Sequence, residues 1–171
     1  MTRSVHGGID EIPLPVASGR LWLCGKHYVG PDPEAALASV GADVVVCLSE
    51  RHELVDRYPG YVEWLRANAA ARAVWYPVPD LHAPRLADAD ELLAALRARL
   101  AAGEGVVVHC GAGIGRAGTV AAALLVSYDT PMADALVAVR RHRPMAGPEA
   151  GAQTELLEAL EARRKSGASG V

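Results

Sequence analysis

Val106-Val107-Val108-His109-Cys110-Gly111-Ala112-Gly113-Ile114-Gly115-Arg116 runs a β-branched segment into a cysteine, a glycine-rich loop and an arginine. An alanine-rich helical pattern starts at that arginine. The valines read as a strand buried on both faces, so strand, loop and helix follow one another directly. A cysteine reacts as its thiolate, and a free thiol with a pKa of about 8.5 is mostly protonated at pH 7. A helix N-terminus and a guanidinium both favour the anion, and such settings bring cysteine pKa values to roughly 3.5–7.5. Successive backbone N–H groups in a glycine loop also hold anions. Arg116 adds a planar fork matched to two phosphate oxygens. Nucleophile and phosphate cradle coincide, which points to phosphoryl transfer through Cys110.

Working outward, the same alternation recurs. Residues 21–24 read as a short strand, and Pro31-Asp32-Pro33-Glu34 opens a helix that Gly41 stops. Residues 44–48 form a doubly buried strand, 61–71 a helix and 73–76 an extended segment. Leucines at 92, 93, 96 and 100 mark an amphipathic helix over 88–102. Helices are expected at 115–128, 132–142 and 149–164. Strands alternating with helices predict an α/β fold, a single domain with a central, mostly parallel sheet. Residues 1–20, rich in Gly and Pro, are expected to be irregular; 21–164 form the domain, and 165–171 a flexible tail.

Composition narrows the classes. A chain of 171 residues that is 51% hydrophobic and 22% charged is globular, not disordered. A net charge of −3 gives no general attraction to nucleic acid or anionic membrane. No apolar run is long enough to span a bilayer, and Met1 to His6 lack the apolar core of a secretory signal. Three cysteines without paired spacing suit a reducing compartment, so a cytoplasmic location is expected. Gly113-Ile114-Gly115-Arg116-Ala117-Gly118 also fits a dinucleotide-binding pattern. That reading requires a second strand ending in an acid about twenty residues on, where 132–142 reads as helix. No Lys-Ser/Thr follows the glycines, so the Walker loop fails too.

His109-Cys110, five residues, then Arg116-Ala117-Gly118-Thr119 resembles the active-site signature of the cysteine-dependent protein tyrosine phosphatases, most closely their small atypical dual-specificity branch. Pro77-Val78-Pro79-Asp80-Leu81-His82-Ala83-Pro84 resembles that branch's general-acid loop. Cys47-Leu48-Ser49-Glu50 resembles the end of its central strand, and Arg140-Arg141-His142-Arg143-Pro144 its late helix and turn. Together these segments span most of residues 21–153, in the family's order.

The resemblance implies roles. Cys110 is the nucleophile, the amides of Gly111, Ala112, Gly113, Ile114, Gly115 and Arg116 hold phosphate oxygens, and Arg116 stabilises transition-state charge. Asp80 is the general acid, and then the base for water attack on a cysteinyl-phosphate. His109 orients the loop, and Gln153 falls where family members carry a glutamine that positions the water. Glu50 is the candidate partner for the Arg116 guanidinium; the bland alternative is a solvated strand-end carboxylate. No metal and no cofactor are required. The chain departs from the family at Ala117, where Ser or Thr usually helps the cysteine leave, so slow intermediate breakdown is expected. Thr119 reads as a helix-packing residue.

Other residues take ordinary readings. His6, His27, His52, His82 and His142 lack metal-ligand spacing, and His82 and Arg85 flank the pocket mouth. Cys24 and Cys47 read as core, and Arg140, Arg141 and Arg143 suit a helix dipole. The substrate expected from the resemblance is a phosphotyrosine, phosphoserine or phosphothreonine protein. A small phosphorylated molecule remains the alternative, as does a phosphate-recognition module with little turnover. Sulfur transfer and arsenate reduction also use loop cysteines, but the Asp80 loop favours a phosphatase. Oligomeric state is left open.

Overall fold

The computed structural model describes residues 7–168. Residues 1–6 and 169–171, which include His6 and parts of both expected terminal segments, lie outside the described residues. Five strands form one sheet in the order β1-β2-β5-β3-β4. They are β1 (Ile9–Ile12), β2 (Arg20–Gly25), β3 (Val44–Cys47), β4 (Ala73–Trp75) and β5 (Gly105–Cys110). All neighbours are parallel except β1, which pairs antiparallel with β2. The expected α/β architecture is therefore present as one domain.

The helices are α1 (Lys26–Val29), α2 (Pro33–Val40), α3 (Pro59–Ala67), α4 (Leu86–Ala101), α5 (Gly115–Ser127), α6 (Met132–His142) and α7 (Gly151–Ala168). One core cluster joins Leu21, Leu23, Val46, Val106 and Val108 to the leucines of α4 and α7 and to α5. The other joins Cys24, Val45, Cys47 and Val107 to Leu37 of α2 and to Tyr61, Val62 and Leu65 of α3. Alternate residues of β5 thus enter opposite cores, which explains its unbroken apolar run. Helix α5 is buried from Gly115 to Val126 because sheet and helices enclose it, and its small residues allow that close packing. Because β2, β5 and β3 are parallel, Gly25, Cys110 and Cys47 end together at one sheet edge. Sites in open α/β sheets form at such carboxyl edges.

Helix α1 falls where no helix is expected, and three boundaries differ by more than two residues. The N-terminal segment is not wholly irregular, since Ile9–Ile12 forms an edge strand with Ile12 buried. The Ile-Asp-Glu-Ile pattern supplies that strand between its glycine and proline neighbours. Helix α3 stops at Ala67, because the Asn68 side-chain amide donates to the Trp64 carbonyl and the Asn68 carbonyl takes the Ala71, Arg72 and Ala73 amides. Helix α7 continues to Ala168 instead of ending at 164, with Ser166 Oγ donating to the Ala162 carbonyl. No helix among the described residues is long and apolar enough to cross a membrane.

Candidate active site

Strand β5 delivers Cys110, almost fully buried, to the start of the loop that enters α5. The carbonyls that follow are tied away one by one. The Cys110 carbonyl accepts from His109 Nδ1 at 3.2 Å, and the Gly111 carbonyl from the Lys26 amide at 2.9 Å. The Ala112 carbonyl accepts from Arg143 Nη2 at 2.9 Å, and the Gly113 carbonyl from Arg143 Nε at 2.8 Å. The Ile114 carbonyl accepts from the amides of Gly118 and Gly147. In a trans peptide the next N–H points opposite to the carbonyl, and no peptide bond among the described residues is cis. Five tied carbonyls therefore turn the amides of residues 111–115 the other way, as an anion nest requires. Gly113 is obligatory here: its φ is 72°, and a Cβ would run into the Cys24 carbonyl.

Arg143 does more than complement a helix dipole. It is 1% exposed, and its guanidinium reaches two loop carbonyls, the Leu23, Gly7 and Gly8 carbonyls, and Asp10 Oδ2 at 2.8 Å. Sequence spacing gave no sign of these contacts, because its partners lie 30 to 136 positions away.

Arg116 is also buried, at 4% exposure. Its partner is Glu53, not Glu50. Nη1 and Nη2 donate to the two Glu53 oxygens at 2.8 and 2.7 Å, and Nη1 donates to the Val78 carbonyl at 2.9 Å. The reason is the 3-10 turn Arg51–Glu53, which swings the third residue inward, with Glu53 Oε2 also accepting the Glu50 amide at 2.7 Å. Burial pushes the Glu53 carboxyl up. The Arg116 and Glu50 hydrogen bonds, with the Arg116 and Lys26 charges, outweigh it and hold the pKa below the usual carboxylate value. Arg116 Nε, by contrast, is buried and has no protein partner. A buried donor left unpaired costs roughly 1–3 kcal/mol, which an incoming oxyanion would recover.

Asp80 projects its carboxylate into solvent at 71% exposure, yet Oδ1 stands 3.5 Å from Arg116 Nη2. Its loop is pinned on two sides. The Val78 amide donates to the Leu48 carbonyl and the Val78 carbonyl accepts from Arg116. Asp80 Oδ1 accepts the Leu81 amide, with Leu81 held at φ 65°, and His82 Nδ1 bonds the Asp80 carbonyl at 2.8 Å. Gln153 is buried. Its Nε2 donates to the His82 carbonyl at 3.2 Å and its Oε1 accepts the Glu149 amide at 2.7 Å. Cys110, Arg116, Asp80 and the loop are thus assembled together, and Gln153 braces the acid loop against the start of α7.

His109 is fully buried beside Tyr61, whose hydroxyl bonds Nε2. Since the Cys110 carbonyl only accepts, Nδ1 carries the ring proton and Nε2 receives the Tyr61 hydroxyl proton. Burial drives the His109 pKa down to about 4, with the Arg116 charge adding to it against the Cys110 carbonyl and Glu53. Burial also keeps the Tyr61 hydroxyl protonated. Tyr61 lies 48 positions from His109 in sequence, so only the fold reveals the pair.

Ala117 is fully buried and carries no hydroxyl, and Thr119 Oγ1 is committed to the Gly115 carbonyl at 2.6 Å. Cys24 and Cys47 are buried thiols whose pKa values burial raises, that of Cys47 to about 12. Glu50, His52 and Glu53 bring ligand atoms within 4.8 Å of one another, but both Glu53 oxygens already serve Arg116.

The family model described as Swiss Army Knife protein, DSP-PTPase phosphatase domain, matches residues 21–166. The chain belongs to this family. The protein is accordingly a cysteine-dependent phosphatase. This phosphatase is similar to the crystal structure of Tk-PTP in a glycine-to-alanine mutant form, at 32% identity and a TM-score of 0.70, covering 86% of this chain and 93% of that one. It is similar to human DUSP28 carrying a tyrosine-to-histidine change, at 25% identity and a TM-score of 0.68, covering 91% and 99%. PTPMT1 crystallised with PI(5)P shares the fold, at 19% identity and a TM-score of 0.73, covering 94% and 98%. No curated protein matches the phosphatase.

Proposed function

We propose that this phosphatase hydrolyses phosphate monoesters on tyrosine, serine or threonine side chains of proteins, through a cysteinyl-phosphate on Cys110. The Cys110 thiolate attacks phosphorus while the leaving oxygen takes the Asp80 proton. The phosphoryl oxygens lie on the turned amides of residues 111–115 and on Arg116 through Nε–H and Nη2–H. Asp80 then accepts a proton from water as that water displaces the thiolate and releases inorganic phosphate. Glu53 keeps the guanidinium in plane, and Gln153 holds the Asp80 loop in register. One observation carries this reading: an unpartnered, buried Arg116 Nε at the end of the loop that follows Cys110, a loop whose carbonyls are tied away.

The rim supports a lone phosphate over a polyphosphorylated headgroup. No basic side chain stands between Cys110 and Arg116. The Glu149 carboxylate lies over Gly115, within 2.9 Å of where a Cβ would be. With Asp80 it gives the mouth two carboxylates, which repel a second phosphate. Three buried, unpaired cysteines fit work in a reducing, cytoplasmic compartment.

The test is phosphate release with chelator present, from an aryl phosphate and from matched phosphotyrosine, phosphoserine and phosphothreonine peptides. Wild type should act and Cys110→Ser should not, with acid-quenched wild type carrying phosphate on cysteine. Turnover confined to small phosphorylated metabolites would move the substrate assignment.

A further inference from the structure

The N-terminal strand precedes residues 21–166, which the family model matches, and reaches the loop after Cys110 through Arg143. We propose that Asp10 is a positioning residue for the phosphate loop, acting through Arg143. This rests on the reading of that loop as the phosphate cradle.

Arg143 comes from the end of α6 and is the largest fully buried side chain of the described residues. A guanidinium is planar and presents its donors in a rigid fork, so fixing one nitrogen aims the others. Its Nη1 has four acceptors: Asp10 Oδ2 at 2.8 Å, and the carbonyls of Gly8, Gly7 and Leu23 at 3.3 to 3.4 Å. Asp10 is the shortest of these and the only charged one. With Nη1 set by Asp10, Nε and Nη2 fall on the Gly113 and Ala112 carbonyls at 2.8 and 2.9 Å. Those two carbonyls decide which way the Gly113 and Ile114 amides face. Asp10 itself is fixed, because it pairs with Leu23 in the β1–β2 ladder. The chain of contacts therefore runs from an edge strand, through one buried cation, to two of the five amides of the cradle.

Glu11 provides the control. It lies next to Asp10 on the same strand but pairs with Arg20 at the surface, far from the loop contacts. A merely structural role for the Asp10–Arg143 pair would lower the melting temperature and leave tungstate affinity alone, whereas a positioning role lowers tungstate affinity.

The experiment compares Asp10→Asn, Asp10→Glu and Glu11→Gln in the full chain. It reads melting temperature, tungstate affinity by calorimetry, and kcat and KM on an aryl phosphate. Asp10→Asn should stay folded while tungstate affinity and kcat/KM fall together by roughly tenfold to a hundredfold. Asp10→Glu should recover part of that loss, and Glu11→Gln should leave tungstate affinity unchanged. Equal tungstate affinity in folded Asp10→Asn and wild type would overturn the proposal. So would equal weakening in Glu11→Gln. If wild type binds tungstate but releases no phosphate from any ester, the proposed function fails while the tungstate comparison still decides the role of Asp10. Wild type that binds no tungstate would remove both.

Discussion

Glu53 and Arg116, 63 positions apart, form a two-bonded ion pair at 2.7 and 2.8 Å beside Gly111. Opening such a partly buried pair from one side strands a charge, at a cost of about 3–5 kcal/mol where burial is complete and less here, with Glu53 15% exposed. Glu53→Gln should lower kcat/KM at least about tenfold and lower the melting temperature, because the guanidinium loses its plane of reference. Glu50→Gln should do neither. Steady-state kinetics on both variants decides this, and a loss in Glu50→Gln with none in Glu53→Gln would return the pairing to Glu50.

His109 makes stability fall in mild acid. Its folded pKa of about 4 lies below the ordinary value of 6.5, so the unfolded chain takes the proton first. The contribution is fully present above pH 6.5 and is lost as pH falls toward 4. Between pH 7 and 5 it amounts to about 2 kcal/mol by linkage. Urea titrations of wild type and His109→Gln at both pH values should show a steeper loss in wild type. Tyr61→Phe leaves Nε2 without its donor and should cost roughly 1–3 kcal/mol at pH 7.

On the proposed mechanism, Asp80→Asn removes the leaving-group proton. The loss in kcat/KM, which reports the step that expels the leaving group, should reach about 10²–10⁴-fold for an alkyl phosphate and be much smaller for an aryl phosphate with an acidic phenol. A loss independent of leaving group would show that Asp80 shapes the loop without donating. Its carboxylate oxygen, bonded to the Leu81 amide, makes that alternative a physical one.

On the proposed mechanism, Ala117 leaves the departing thiolate without a hydroxyl, and Thr119 Oγ1 is held elsewhere. Rapid-mixing assays should therefore show a burst of phenol close to one equivalent, followed by slow turnover. Ala117→Ser should shrink the burst and raise kcat by about tenfold, equivalent to roughly 1.4 kcal/mol on breakdown. A wild type without a burst would place the slow step at the first chemical event.

The chemistry of the site was legible where neighbours in sequence are neighbours in space. Val106 to Arg116 is one continuous strand, loop and helix, so the placement of Cys110, the glycine loop and Arg116 could be read directly. Asp80 was reachable through its proline-framed loop and a family resemblance. Partners across the fold were not. Glu53 differs from Glu50 only by the turn of one 3-10 segment, which no periodicity signals. Tyr61 and Arg143 act at ranges set by tertiary packing. Strand β1 was hidden because four residues between glycines and prolines carry too little pattern to outweigh their flanks.

Helix α5 has no solvent-facing side along its first twelve residues, and the phosphate loop is its leading end. Most catalytic loops open on their own, at a small fraction of the energy of unfolding. Here the loop has no such private exit, since its far end is a helix that would have to be lifted out of the middle of the molecule. The bonded amides of α5 from Gly118 onward should exchange with water at the slow pace of the innermost strands. The place where the substrate binds is then among the last parts of the molecule to let go.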